Sequence, residues 1–123
     1  MALDLDRKAQ DLVQSSLLGE VFDSAPLAVF VGDESLRYLA VNRAGCELVG
    51  YTREELTGLG VADVVELTPE ELESAYGDFV QNGGRRADLT LRRKDGTLVD
   101  VSHATYRSSL GGMPVFVALV EPR

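Results

Sequence analysis

The side chains able to do chemistry are few and scattered. The chain has one histidine, His103, and one cysteine, Cys46. A histidine on a strand can hydrogen-bond a ligand or titrate near neutrality; the plainer alternative is a ring that is partly exposed or satisfied by backbone. Cys46 could serve as a redox or adduct-forming thiol. No adjacent basic group or histidine activates it, so it reads first as a small apolar side chain. Arg85, Arg86, Arg92, Arg93 and Lys94 form the one basic cluster. They suit a solvated sheet edge and turn, or alternatively a carboxylate or phosphate ligand or an acidic partner surface. Glu66, Glu70, Glu71 and Glu73 complement the positive end of a helix. No His, Cys and carboxylate cluster has metal-ligand spacing. A glycine-rich phosphate loop and a nucleophile with an evident base are also missing. The expectation is a non-enzymatic protein without a metal.

The bulk numbers narrow the class. The length of 123 residues suits one domain with a real core, and 45% apolar with 26% charged residues is an ordinary globular mixture. A net charge of −8 argues against nucleic acid and against an anionic membrane surface. A single cysteine leaves no internal disulfide, so a cytoplasmic setting is expected. There is no apolar run of membrane-spanning length and no signal-peptide pattern at the start.

The elements that must position these residues follow from patterning. Residues 3–23 carry Leu5, Ala9, Leu12, Val13, Leu17, Val21 and Phe22 near helical spacing, and Ser24-Ala25-Pro26 stops the run. Its apolar stripe must pack either on its own domain or on a second copy. LAVFVGDES and RYLAVN read as strands joined by an acidic turn, with Val29 and Val31 on one face and Ala28 and Phe30 on the other. Asn42 caps a short helix that ends at Gly50, and Thr52 with Glu55 makes a capping box for a second, which ends at Gly58. Thr68-Pro69-Glu70-Glu71 launches a longer helix, ended by Asn82-Gly83-Gly84. ADLTLRR, LVDVSHATY and PVFVALV are three alternating strands, the first two joined by an Asp95-Gly96 hairpin turn. The pattern predicts an α+β domain, one antiparallel sheet with helices on one face. Helices of one or two turns do not survive alone. They must lie on the sheet, and a broken cover of that kind fills space poorly enough to leave a pocket.

The run AVFVGDESLRYLAVNRAGCELVGYTREELTG resembles the N-terminal half of a PAS domain, with Asn42, Gly50, Tyr51, Glu55, Leu56 and Gly58 matching its pattern. RRKDGTLVDVS, a glycine turn and an apolar last strand are similar to its C-terminal half. The resemblance covers roughly residues 20–121. It divides the chain into an N-terminal helix, 1–23, and a PAS domain, 24–123. It implies a five-stranded antiparallel sheet in the order 2-1-5-4-3 and a sensory or dimerising module of a bacterial signalling protein, such as a two-component system. Attached output would be a kinase, a cyclase or a transcription regulator. The family's Asp-x-Thr exit motif is missing after the last strand, where the chain ends at Glu121-Pro122-Arg123, and a fragment of a larger protein is expected.

The cofactor-binding subfamilies of that family each place a signature residue that this chain lacks. The adduct-forming cysteine of flavin-binding relatives falls on Val61, and VFVALV lacks their flavin-facing glutamine. Val64-Val65-Glu66-Leu67-Thr68 lacks the chromophore cysteine of photoactive yellow protein, and residues 69–82 lack the axial histidine of haem sensors. The resemblance therefore implies a pocket without flavin or haem, lined by Val29, Val31, Leu39, Val99, Val101, Phe116 and Ala118, with His103 beside them, and suited to a small apolar or aromatic ligand. Val115, Val117 and Leu119 lie on the other face of the last strand, which is apolar on both sides and needs a second cover. Together with Leu5, Leu12, Val13 and Leu17 they make the expected homodimer interface. The alternative is a ligand-free interaction scaffold.

Overall fold

The computed structural model describes residues 19–123. The predicted stripe at Leu5, Leu12, Val13 and Leu17 lies outside the described residues. Residues 19–24 are helical and lead through Pro26 into the sheet. Two strands, β1 (Ala28–Gly32) and β2 (Tyr38–Val41), precede four helices: α1 (Arg43–Val49), α2 (Arg53–Leu56), α3 (Val61–Val64) and α4 (Pro69–Asn82). Three long strands follow, β3 (Gly84–Arg92), β4 (Leu98–Leu110) and β5 (Met113–Pro122). They form one antiparallel sheet in the order β2-β1-β5-β4-β3. No helix among the described residues is long and apolar enough to cross a membrane.

The short helices stand where their caps put them. Asn42 Oδ1 accepts from the Gly45 N–H, and Gly50 closes α1 in the left-handed region at φ 78°. Thr52 with Glu55, and Thr68 with Glu71, form reciprocal capping boxes at the starts of α2 and α4. The Gly60 N–H donates to Asp63 at 2.9 Å and opens α3, a turn the apolar run around it did not announce. Each cap offsets about 1 kcal/mol of end cost. The rest comes from burial of Val49, Leu56 and Val64 against Phe30, Val41, Leu91, Val101 and Val120.

Three basic residues predicted as a solvated cluster tie this cover down. Lys94 Nζ contacts Glu55 at 2.6 Å and its N–H donates to the Val49 carbonyl, Arg93 Nε donates to the Leu48 carbonyl at 3.0 Å, and Arg92 Nε donates to Glu66 at 2.8 Å. The β3–β4 turn is thus stitched to α1, α2 and the strap before α4.

Candidate functional site

An apolar cavity of about 100 Å³ lies between the sheet and the helices. Its floor is Phe30 and Tyr38 from the first two strands, Leu89 and Leu91 from β3, Val101, His103 and Thr105 from β4, and Phe116, Ala118 and Val120 from β5. Its roof is Leu36, the α3 side chains Val61 and Val64, and Leu72, Ala75, Tyr76 and Phe79 of α4. Those four α4 residues recur at helical spacing and mark its inward stripe. Their spacing is present in the sequence, but only the fold shows that this stripe faces the cavity, and the expected lining, made of strand residues alone, lacks it. Leu36 was missed too. It sits in the left-handed region at φ 62°, held in a turn where Asp33 Oδ1 accepts from the Ser35 and Arg37 N–H groups.

Of the strand residues expected to line a pocket, Val101, His103, Phe116 and Ala118 do so. Val99 shares their face but packs beside Leu91, further along the ladder from the cavity. Val29, Val31 and Leu39 need correction, because they do not face it. In β1 the buried positions are Ala28, Phe30 and Gly32. Phe30 pairs with Ala118 and Gly32 with Phe116, so these share the covered face, while Val29 pairs with Leu119 and Val31 with Val117 on the opposite one. Both faces of β1 are apolar, and a one-residue change of register exchanges them. The irregularity at Val31–Gly32 then breaks the alternation in β2, turning both Tyr38 and Val41 inward and leaving Leu39 39% exposed. The choice rests partly on Gly32. A Cβ there would meet the Phe116 ring at 2.2 Å, so the ring occupies the space that any other residue would fill.

On the opposite face, Val117 and Leu119 are half-buried and Val115 is buried, beside Val29 and Val31. Tyr106, across from Val117, is exposed.

Polar groups at the cavity are sparse. Tyr38 is buried, and burial, reinforced by the charge of Asp63, pushes its phenol well above the usual range, so it stays protonated. His103 is half-buried, with Nδ1 at 2.9 Å from the Ala87 carbonyl. A carbonyl only accepts, so Nδ1 carries the proton and Nε2 remains an acceptor. Burial lowers the His103 pKa, and Arg85 lowers it further, against the raising effects of the Ala87 carbonyl and Asp88. The ring is neutral at pH 7. Cys46 lies outside the cavity, and burial raises its pKa against the opposing charge of Arg53, so it is a poor nucleophile. Among the described residues no three His, Cys, Asp or Glu side chains gather as a metal site.

The other organising point is Asn42, fully buried at the end of β2. Its Oδ1 accepts from the Val29 and Gly45 N–H groups at 2.9 and 3.0 Å, and its Nδ2 donates to the Phe22 and Leu27 carbonyls at 3.0 and 2.8 Å. One side chain thus joins α1, β1 and the end of the N-terminal helical segment. Beside it, Asp23 pairs with Arg43 at 3.2 Å and with Arg53. Desolvation opposes ionisation of Asp23, and the hydrogen bond and charge of Arg53 outweigh it, leaving the pKa lowered.

A sequence profile of the PAS domain family matches residues 26–121. No curated protein matches the chain in sequence. Among solved structures, the chain is similar to the PAS domain of an HTR-like protein from Haloarcula marismortui, at 23% identity and a TM-score of 0.86 over 96% of this chain and 98% of that one. It is similar to a PAS domain from a two-component sensor histidine kinase at 16% identity and a TM-score of 0.80, covering 92% and 99% of the two chains. A third likeness is to the PAS domain of a LuxR-family transcriptional regulator from Burkholderia thailandensis in complex with ethanol, at 16% identity and a TM-score of 0.69, covering 85% and 95%.

Proposed function

The chain belongs to the PAS domain family, and from that premise we propose that it is a sensory module which binds a small, largely apolar molecule under α4 and passes its occupancy to an attached output domain, a kinase, a cyclase or a transcription regulator. The module carries no catalysis of its own and works in the cytoplasm without flavin or haem. The observation that supports this most is the contrast between the cavity and its roof. Helix α4 spans 14 residues and has no fully buried one, while the sheet beneath it is closely packed. A cover held this lightly can shift when the space below is filled. The likeness to a sensor-kinase PAS domain, and to a PAS domain that holds ethanol, supports the same reading.

Thermal unfolding of the full chain against a set of small apolar molecules tests it. A ligand present at 100 times its Kd stabilises by about 2.7 kcal/mol. The variant Ala75→Leu, which fills the cavity from α4, should lose that response while remaining folded. Stabilisation that persists unchanged in Ala75→Leu would move the binding site elsewhere. A flat response to every compound would favour the second reading, a ligand-free scaffold.

The apolar opposite face favours homodimerisation as part of either reading, through Val115, Val117 and Leu119 with the N-terminal stripe at Leu5, Leu12, Val13 and Leu17. Light scattering should find the full chain dimeric and a chain lacking residues 1–20 monomeric. A truncated chain that is still dimeric would remove the N-terminal stripe from the interface.

A further inference from the structure

Arg85 is the one cation among the described residues that line the cavity. It sits on edge strand β3, directly across from Thr105 and diagonal to His103, which pairs with Ala87. All three share the covered face. The other members of the basic cluster are used differently: Arg92, Arg93 and Lys94 hold the cover to the sheet, and Arg86 is exposed on the opposite face. Arg85 is half-buried, and its guanidinium makes no ion pair or hydrogen bond with another described residue. A partly desolvated guanidinium beside an apolar wall is completed by an anion with two oxygens in one plane.

We propose that the ligand of this cavity is a small apolar monocarboxylate, its hydrocarbon body under α4 and its carboxylate paired with Arg85 at the Thr105 edge. This rests on the reading of the cavity as a ligand site. The size and the charge count both restrict the class. A void of about 100 Å³ is smaller than the ~150 Å³ apolar cavity that takes up benzene, so the body is no larger than one ring, and a short branched chain fits it best. Lone Arg85 balances a single negative charge. His103 adds none, because its Nδ1 proton is given to Ala87 and Nε2 presents a lone pair. A phosphate or a dicarboxylate would leave charge uncompensated in a protein of net charge −8. The same Nε2 favours a ligand whose body carries one hydroxyl.

Calorimetric titration of the full chain with isovalerate and benzoate, and with the matching neutral amides, isovaleramide and benzamide, tests this. The acids should bind about tenfold or more tightly than the amides. Arg85→Gln should erase that preference by weakening the acids alone, and Arg86→Gln, the same loss of charge on the opposite face, should leave it intact. A purely structural Arg85 would weaken acids and amides together or neither, and either result overturns the proposal. Equal binding of acids and amides by the unaltered chain also overturns it, while leaving the cavity as a site for neutral molecules. Binding by neither class, with no thermal response to any apolar compound, overturns both.

Discussion

Where β2 gives way to α1, each polar group of a fully buried asparagine is answered: the Asn42 amide makes four hydrogen bonds, and Asp23, Arg43 and Arg53 close the surface above it. Across the sheet, where β3 and β4 pass under α4, the pattern reverses. There a cation lacks a partner among the described residues, an imidazole keeps a free lone pair, and a helix without a fully buried residue spans a cavity. The first region specifies one arrangement and penalises departure from it. On the proposed reading the second keeps several arrangements close in energy, and a ligand selects among them. Marginal packing in one place is tolerable because the fold is secured in another.

The largest effect should come from breaking the secured side. Asn42→Ala removes the partner of two carbonyls and two N–H groups at a fully buried position, and urea unfolding should show a loss of about 3 kcal/mol or more. A loss under ~1 kcal/mol would mean that water replaces the side chain, and the contrast between the regions would fail. Cavity-forming substitutions sharpen it next. Leu56 is fully buried, and Leu56→Ala should cost about 3 kcal/mol, whereas Leu72→Ala, at the edge of an existing void, should cost about 1 kcal/mol. Equal costs would show that α4 is as firmly packed as α2. A smaller effect should follow from the caps. Thr52→Ala and Thr68→Ala should each lose about 1 kcal/mol. Hydrogen exchange should then speed up in α4 alone for Thr68→Ala, but across the core for Thr52→Ala, since α2 contributes Leu56 to it.

The smallest effect is a pH dependence. The folded pKa of His103 is lowered by burial, with Arg85 adding to the shift, so the unfolded chain takes up the proton first. Its contribution to stability is complete above the ordinary value of 6.5 and declines as pH falls through the lowered one. Glu55 and Asp23 have lowered pKa values too, but their contributions are lost only below the ordinary 4.5 and 3.8. The melting temperature should therefore begin to drop below about pH 6.5, and His103→Gln should flatten that part of the curve. An identical slope in the variant would assign the effect to other groups.

Legibility in the sequence followed the range of the interaction. Thr52 with Glu55, Thr68 with Glu71, and Asn42 with Gly45 act within three residues, and the helix starts they mark stand in the structure. The Asp95-Gly96 turn and the alternation of β3 to β5 were equally local, and the resemblance supplied the strand order. Other features were less visible. The short α3 rests on Asp63 folding back to Gly60 without a hydroxyl cap to announce it. Asn42 reads from its neighbours as a cap, and nothing near it tells of Phe22, Leu27 and Val29. The basic cluster reads as one patch, because adjacent residues on a strand give no sign that Arg85 faces a cavity and Arg86 does not until the sheet face is assigned.

Taken alone, the amino-acid order determined where each helix begins and where most end, because a cap is a bond between backbone and a side chain a few residues away. It determined too that both faces of β1 and β5 would be apolar. Only the tertiary structure decided which of those faces meets the helices. That choice depends on the register between strands far apart in the chain, on the irregularity at Val31–Gly32, and on the Phe116 ring lying where Gly32 has no side chain. A single residue of register moves Val29 and Val31 from one side of the sheet to the other, and no local energy separates the two until the whole sheet is assembled.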